Sequence, residues 1–149
     1  MAIGIKNIIH GALAANYSEE SAEKLTKEYG MYLMTGETII AGFKLIRDAL
    51  IFTDKRVIIT DKQEVTGLKM TVSSINLFSI IEVKMESSGL GFDDSELTFT
   101  YISSPYLKEH QITYASHRLE FPSNYDVQSL YRILQEIAYH NCLTINGLD

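Results

Sequence analysis

Apolar residues between Ser18 and Gly36 recur with the spacing of a helix. Ser18 can cap the free N–H groups at the start of such a helix, and the acidic residues after it suit the positive end of the helix dipole. Thr35 and Gly36 end the pattern. The apolar face is formed by Ala22, Leu25, Tyr29, Tyr32 and Leu33. A shorter apolar stretch with the same spacing covers residues 5–13, so we predict an N-terminal helical extension over residues 1–35.

From Glu37 onward the apolar residues alternate with a period of two, which predicts strands. Thr53-Asp54 and Thr60-Asp61 follow apolar runs, and their side chains can bond the backbone of tight turns. Connections this short cannot cross over, so the consecutive strands are expected to be antiparallel. The predicted strands cover residues 39–46, 49–53, 56–60, 69–75, 81–86 and 97–101, and residues 112–121 form one long bent strand or two short ones.

The clearest helical pattern lies near the end of the chain. Val127, Leu130, Leu134 and Ile137 share one face of a helix that we predict from about residue 124 to residue 141. Six or seven antiparallel strands followed by one helix favour an α+β, mainly β architecture over an alternating α/β one. A curved sheet or barrel of this size has an open end, which the helix can close.

Size and charge narrow the class of protein. The chain has 149 residues, which fits one domain, and a formal net charge of −6, which disfavours binding to nucleic acid. Its one cysteine, Cys142, excludes an intramolecular disulfide and fits a reducing cytoplasm. Lys6, Asn7 and His10 interrupt the apolar start, unlike a signal peptide, and no stretch approaches the ~20 apolar residues of a membrane-spanning helix. We therefore expect a cytoplasmic protein.

A block in the first half of the strand region carries a resemblance to a known family. The residue strings concerned are Gly36-Glu37, Lys44-Leu45-Ile46-Arg47-Asp48, Phe52-Thr53-Asp54-Lys55-Arg56, Thr60-Asp61-Lys62-Gln63, Thr66-Gly67 and Phe92-Asp93-Asp94-Ser95-Glu96-Leu97. With these strings the chain resembles the bacterial pleckstrin-homology (PH) domain family over roughly residues 5–138. The Lys44–Gly67 block is the most specific part of the resemblance.

The resemblance implies a fold and an assembly. It implies a PH-like, strongly bent sheet or barrel of seven antiparallel strands capped by a C-terminal helix, which we place at residues 36–142, with a tail over residues 143–149. It also implies a ring-shaped homo-oligomer, with a pentamer as the expected size, and no enzymatic activity. Residues 106–115 resemble an insertion between the sixth strand and the last, which lengthens a hairpin or extends the final strand.

The resemblance also suggests an anion-binding site. In eukaryotic PH domains, basic residues on the first strands and their loop bind inositol phosphates, because Lys and Arg give charge-assisted hydrogen bonds to phosphate oxygens. The corresponding candidates for anion or lipid binding are Lys44, Arg47, Lys55, Arg56 and Lys69. Asp48, Asp54 and Asp61 lie among them, and this favours a solvated or ion-paired surface over a phosphate site.

Other chemistry finds little support in the sequence. Asp93, Asp94 and Glu96 are too few for a calcium loop, and the four histidines and the cysteine lack zinc-site spacing. No phosphate loop, dinucleotide fingerprint or nucleophile elbow is present. We therefore predict no catalytic, cofactor-binding or metal-binding residues. The leading hypothesis is a non-enzymatic interaction module that self-assembles through its sheet edges and N-terminal segment. The alternative is an anionic-lipid or phosphoinositide-binding PH domain.

Overall fold

The computed structural model describes residues 22–44, 48–62, 69–87, 89, 94–108, 110–122 and 126–149. The predicted apolar stretch over residues 5–13, the proposed cap Ser18 and the candidate ligand Arg47 lie outside these ranges. Within them, helix α1 covers Ala22–Tyr29 and continues as a 3₁₀ turn over Gly30–Tyr32. The helical part therefore ends before Leu33, because Gly30 has a low helix propensity and favours the tighter turn.

Seven antiparallel strands follow, as the resemblance implied. They are β1 (Ile39–Lys44), β2 (Asp48–Thr53), β3 (Arg56–Lys62), β4 (Met70–Asn76), β5 (Ile80–Glu86), β6 (Ser95–Ile102) and β7 (Tyr114–Phe121). The predicted stretch 112–121 is thus one strand, and it begins at Tyr114. All strand pairs are consecutive hairpins, so the prediction of antiparallel neighbours is confirmed.

The strands form two sheets, and this corrects the prediction of one bent sheet or barrel. The first sheet has the order β1-β2-β3-β4 and the second β5-β6-β7, with no pairing between them among the described residues. The division falls at a 3₁₀ turn, Leu77–Ser79, which separates β4 from β5. The Ser79 hydroxyl donates to the carbonyl of Asn76 at 2.7 Å, which stabilises this corner.

The inner faces of the two sheets enclose the main core. Large side chains from every strand pack there against the C-terminal helix, among them Phe52, Phe99 and Phe121, each fully buried. A second, smaller cluster lies on the outer face of the first sheet. It comprises Leu25, Tyr29, Ile39, Ala49, Ile51 and Ile58. Helix α1 covers this outer cluster, which explains why β1 and β2 are apolar on both faces.

The C-terminal helix, α2, covers Val127–Ile145 and closes the main core. The Asp126 side chain caps it by accepting the backbone N–H of Ser129. The helix runs beyond the predicted end at residue 141, and Gly147 then follows with a φ of 65° that suits a helix stop. On its buried face, the Asn141 side-chain amide donates to the carbonyls of Leu77 at 2.6 Å and Ile80 at 2.8 Å, and so joins α2 to the corner between the sheets.

The predicted insertion lengthens the hairpin between β6 and β7. The backbone N–H of Ser103 donates to the carbonyl of Thr113 at 2.9 Å, and their hydroxyls lie 2.8 Å apart. The Ser104 hydroxyl accepts the N–H of Thr113 at 3.3 Å and donates to the carbonyl of Tyr106. The two arms therefore stay together beyond the ends of the strands.

Candidate functional site

The basic residues predicted to bind anions lie at two opposite ends of the first sheet. Lys44 ends β1, and Lys69 directly precedes β4, so both belong to the end where the β1–β2 and β3–β4 connections lie. Lys55 and Arg56 occupy the β2–β3 turn at the other end. The structure therefore does not bring the described candidates together into one patch.

Lys44 contacts helix α1. Its ammonium lies 3.2 Å from the Glu28 carboxylate, and both side chains are about half exposed. The adjacent Tyr29 is buried, and this burial, together with the negative charge of Glu28, raises the pKa of its hydroxyl. Lys44 thus helps to hold α1 on the outer face of the sheet, as an exposed ion pair of modest energy.

Arg56 is part of a buried hydrogen-bond network. Its Nε donates to Glu37 Oε2 at 2.8 Å and its Nη2 to Oε1 at 2.9 Å, an arrangement that satisfies both carboxylate oxygens. Nη2 also donates to the carbonyl of Tyr32. The Glu37 side chain is fully enclosed, and it further accepts the Thr53 hydroxyl at 2.7 Å and the Met34 N–H at 2.9 Å. Arg56 therefore has a structural role: its guanidinium joins the start of β3 to Glu37 and to the carbonyl of Tyr32.

The network sets the charge state of Glu37. Burial alone raises the pKa of this carboxyl, but hydrogen bonds from Arg56, Thr53 and the Met34 backbone together outweigh it and lower the pKa to about 2. The carboxylate is therefore ionised at any physiological pH. It acts as a fixed anchor between the 3₁₀ turn after α1 and the first sheet, and not as a proton donor.

The remaining chemical candidates lie apart from one another. Glu96 pairs with Arg118 across the outer face of the second sheet, Asp94 is exposed, and Asp93 lies outside the described residues. The Cys142 sulfur contacts the carbonyl of Ile81 at 3.8 Å. In the described part of the chain, no three His, Cys, Asp or Glu side chains lie close enough together to hold a metal ion.

The exposed edge position of strand β4 is the feature that the sequence analysis missed. Among the described residues β4 is an edge strand that pairs with β3 alone, and residues 70–74 are exposed on both faces. The backbone N–H of Leu77 donates to the carbonyl of Lys55 at 3.1 Å, so the backbone groups of Leu77 face β3. Because this direction alternates along an antiparallel strand, the backbone groups of Val72 and Ser74 point away from β3. Its seven residues include no charge and no proline, and its pairing with β3 has no bulge.

The other sheet edges are protected. Helix α1 packs along β1, and α2 packs against β5, whose exposed positions include Glu82, Lys84 and Glu86. Strand β7 carries Arg118 and Glu120 on its exposed face. Charged side chains and covering elements are the usual devices that prevent edge-to-edge pairing, and the described part of the chain supplies neither along β4. The absence of charge between Met70 and Asn76 is the sequence signal that could have identified this edge.

Comparison with known proteins places the chain among bacterial proteins of one kind. A family model for the bacterial PH domain matches residues 8–138. The chain is 42% identical over 85 residues to the uncharacterized protein YjqA of Bacillus subtilis (strain 168), a match that covers 57% of this chain and 68% of that protein.

Solved structures show the same fold. The chain is similar to a pleckstrin homology domain from Shewanella amazonensis SB2B, with a TM-score of 0.63 and 31% identity over 86% of this chain and 96% of that one. It is also similar to a DUF1696 family protein with a pleckstrin-homology domain from Shewanella loihica PV-4, with a TM-score of 0.58 and 26% identity over 81% and 96%. Among the described residues, no helix is long and apolar enough to cross a membrane.

Proposed function

Because the chain belongs to the bacterial PH domain family, we propose that it is a non-enzymatic interaction module that assembles with copies of itself through the exposed edge of β4. The single observation that carries the proposal is that no strand or helix among the described residues covers this edge, whose backbone groups at Val72 and Ser74 are directed outward. A strand of a second copy can satisfy those groups by adding to the sheet.

The side chains of β4 fit such a contact. Met70 and Val72 are 39% and 36% exposed, so pairing would remove apolar surface from water as well as satisfy the backbone. Contact of β4 with a different surface of the neighbour is a head-to-tail contact, and head-to-tail contacts close into rings when the rotation allows. The pentameric ring implied by the family resemblance is one such closed form.

The alternative function, binding of anionic lipid, receives less support from the geometry. Lys44 is paired with Glu28, Arg56 is enclosed by the Glu37 network, and Lys55 lies at the far end of the sheet from Lys69. A phosphate group needs several donors in one place, and the described residues do not supply them. Lipid binding therefore stays a prediction of the sequence alone.

Light scattering coupled to size-exclusion chromatography tests the assembly. We expect the wild-type chain to have the mass of a multimer at micromolar concentration. Val72→Lys should reduce the mass to that of a monomer without unfolding the chain, because a charge at an exposed edge position opposes strand pairing. Gln135→Lys, which adds the same charge to an exposed position of α2, should leave the mass unchanged. A wild-type chain that is monomeric throughout would refute self-assembly.

A further inference from the structure

The chain contains one Asn-Gly pair, Asn146-Gly147, directly after the last residue of α2. In such a pair the backbone nitrogen of the glycine can attack the side-chain amide carbon of the asparagine, because glycine has no side chain to hinder the approach. The other five asparagines are followed by larger residues, namely Ile8, Tyr17, Leu77, Tyr125 and Cys142. Both residues of the pair are exposed, so water reaches the amide. Asn146 is therefore the asparagine most open to this attack.

The end of α2 holds the pair in a hydrogen-bonded turn. The N–H of Gly147 donates to the carbonyl of Thr144 at 3.1 Å, and the N–H of the next residue donates to the carbonyl of Leu143 at 2.8 Å. These two bonds form a Schellman motif, in which glycine is favoured at the position of positive φ. The side-chain amide of Asn146 donates to the carbonyl of Cys142 at 2.8 Å. The attacking and the attacked group are thus both engaged in hydrogen bonds.

The backbone angle of Asn146 also opposes the reaction while the turn is closed. Its ψ is 3°, so the nitrogen of Gly147 eclipses the backbone nitrogen of Asn146 and points away from the side chain. A five-membered imide ring requires the Gly147 nitrogen and the Asn146 Cβ to lie on the same side of the Cα–C bond. Rotation about this bond breaks the hydrogen bond from Gly147 to Thr144. The last turn of α2 must therefore open before the reaction can occur.

We propose that Asn146 is a site of spontaneous deamidation and that opening of the last turn of α2 sets its rate. In the open turn the Gly147 nitrogen loses its proton and forms a bond to Cγ of Asn146, and the side-chain nitrogen leaves as ammonia. Water then adds to one of the two carbonyls of the resulting imide and breaks its C–N bond. Opening at one carbonyl gives aspartate, and opening at the other gives isoaspartate. Water is the co-reactant, and no oxidant or reductant is needed.

The modification is expected to keep the turn open. The product carries a carboxylate at the C-terminal end of α2, where the helix dipole disfavours negative charge, and it lacks the N–H that donates to Cys142. Ile145, one residue earlier, lines a depression of about 350 Å³ with Leu107 and Ile112 of the β6–β7 hairpin. Deamidation would therefore loosen the wall that α2 contributes to this depression. None of these groups belongs to β4, so the proposal does not rest on self-assembly.

Mass spectrometry of the full chain, incubated at mildly alkaline pH, tests the proposal. Trypsin releases residues 133–149 as one peptide, so Asn141 and Asn146 are compared within the same fragment, and a sample digested without incubation gives the background. We expect deamidation at Asn146 alone, with isoaspartate detected by enzymatic methylation. The rate in the folded chain should be about tenfold lower than in a synthetic peptide of residues 133–149, because opening breaks the hydrogen bonds of the turn.

Three results would overturn the proposal. The first is deamidation of Asn141 to the same extent as Asn146. The second is an intact Asn146 in the folded chain long after the synthetic peptide has reacted. The third is an equal rate in the chain and in the peptide, since the turn would then have no influence on the reaction.

A matched pair of glycine variants identifies the opening that limits the rate. Thr144→Gly lowers the helix propensity of the last turn and should raise the deamidation rate about twofold to fivefold. Gln128→Gly makes the same kind of change at an exposed position in the first turn of α2 and should leave the rate unchanged. Equal acceleration by both variants would show that unfolding of the whole chain limits the rate, contrary to the proposal.

The effect on the turn is measured with Asn146→Asp, which carries the carboxylate of one product. Hydrogen exchange at Gly147 and Leu148, corrected for intrinsic rates, should be about twofold to fivefold faster than in the wild type. Asn146→Gln keeps an uncharged amide and is the control, with exchange closer to that of the wild type. Equal exchange in Asn146→Asp and the wild type would refute the expected opening of the turn.

Discussion

Glu37 joins three parts of the fold through one carboxylate. It accepts hydrogen bonds from the backbone of Met34 after α1, from Thr53 at the end of β2 and from Arg56 at the start of β3. Because the side chain is fully enclosed, loss of its charge would leave the Arg56 guanidinium without its counter-ion in a site of low exposure. Such an unpaired buried charge is more destabilising than the ion pair was stabilising.

We predict that Glu37→Gln lowers the free energy of unfolding by about 3 kcal/mol at neutral pH, as measured by urea denaturation. The displacement of the Glu37 pKa from 4.5 to about 2 corresponds to a similar energy. Because this pKa is lowered by folding, the contribution is present above about pH 4.5 and is lost as the pH falls towards 2. Glu120→Gln, at an exposed position of β7, is the control and should change little. Equal stability of both variants would contradict the prediction.

The sequence could identify Arg56 as a candidate cation but not its partner. The turn formed by Thr53 and Asp54 is visible in the sequence, because those side chains have well-known turn chemistry. Glu37, by contrast, lies 19 residues before Arg56 and meets it only once β1, β2 and β3 are paired. A contact that depends on the register of two hairpins cannot be derived from local spacing.

At the scale of elements, α1 depends on a close approach to β1. A Cβ atom at Gly42 would lie 2.6 Å from Leu25 Cδ1, which is nearer than two carbon atoms can pack. The glycine therefore allows the buried leucine of α1 to lie directly on the sheet. The amphipathic pattern of α1 was predictable, and the burial of Leu25 and Tyr29 confirms it. The place where α1 packs on the sheet was not predictable, since the role of Gly42 depends on the tertiary contact.

We predict that Gly42→Ala lifts α1 from the sheet and lowers the free energy of unfolding by about 1–3 kcal/mol, because the added methyl overpacks the contact. Hydrogen exchange in α1 should be faster in Gly42→Ala than in the wild type, whereas exchange in β6 should be the same in both. Gly30→Ala is the matched control, since its Cβ would lie 3.7 Å from Thr26, an ordinary contact. Unchanged exchange in α1 of Gly42→Ala would show that the helix does not rest on this position.

The division into two sheets could not be predicted from the pattern of apolar and polar residues. The strands themselves were predicted close to their observed positions, because alternation reports burial on one face of a sheet. The sequence prediction left residues 76–80 between two strands but gave no sign that the pairing of the strands changes there. The Asn141 amide, from a helix distant in sequence, donates to the carbonyl of Leu77 in this corner and stabilises the turn. The position of β4 at a sheet edge depends on this corner, so it could not be predicted from the sequence either.

At the scale of the molecule, the packing of one sheet on the other determines the environment of His117. Its ring lies 5.8 Å from that of Phe99, and its enclosed Nε2 has no hydrogen-bond partner among the described residues. Burial lowers the pKa of His117, and the negative charge of Asp61 on β3, in the other sheet, partly opposes this effect. The imidazole is therefore held in its neutral form where the two sheets meet.

We predict that the chain loses stability as the pH falls from about 6.5 to the lowered pKa of His117, because the unfolded state takes up the proton first. Urea denaturation of His117→Leu between about pH 7 and pH 5 should show a flatter profile than that of the wild type. His110→Gln, in the exposed hairpin, should retain the wild-type slope. Parallel profiles for wild type and His117→Leu would contradict the prediction.

The bond from Asn141 to the corner between the sheets also constrains how the protein is made. Residue 141 is synthesised after all seven strands, and it binds carbonyls of residues 77 and 80. While the chain is still growing on the ribosome, the first sheet can pair its hairpins locally, but the cover of its apolar inner face is incomplete until the second sheet and α2 have emerged. During that interval Val57, Ile59 and Phe52 are open to other nascent chains. The growing chain therefore needs chaperone protection until α2 has emerged.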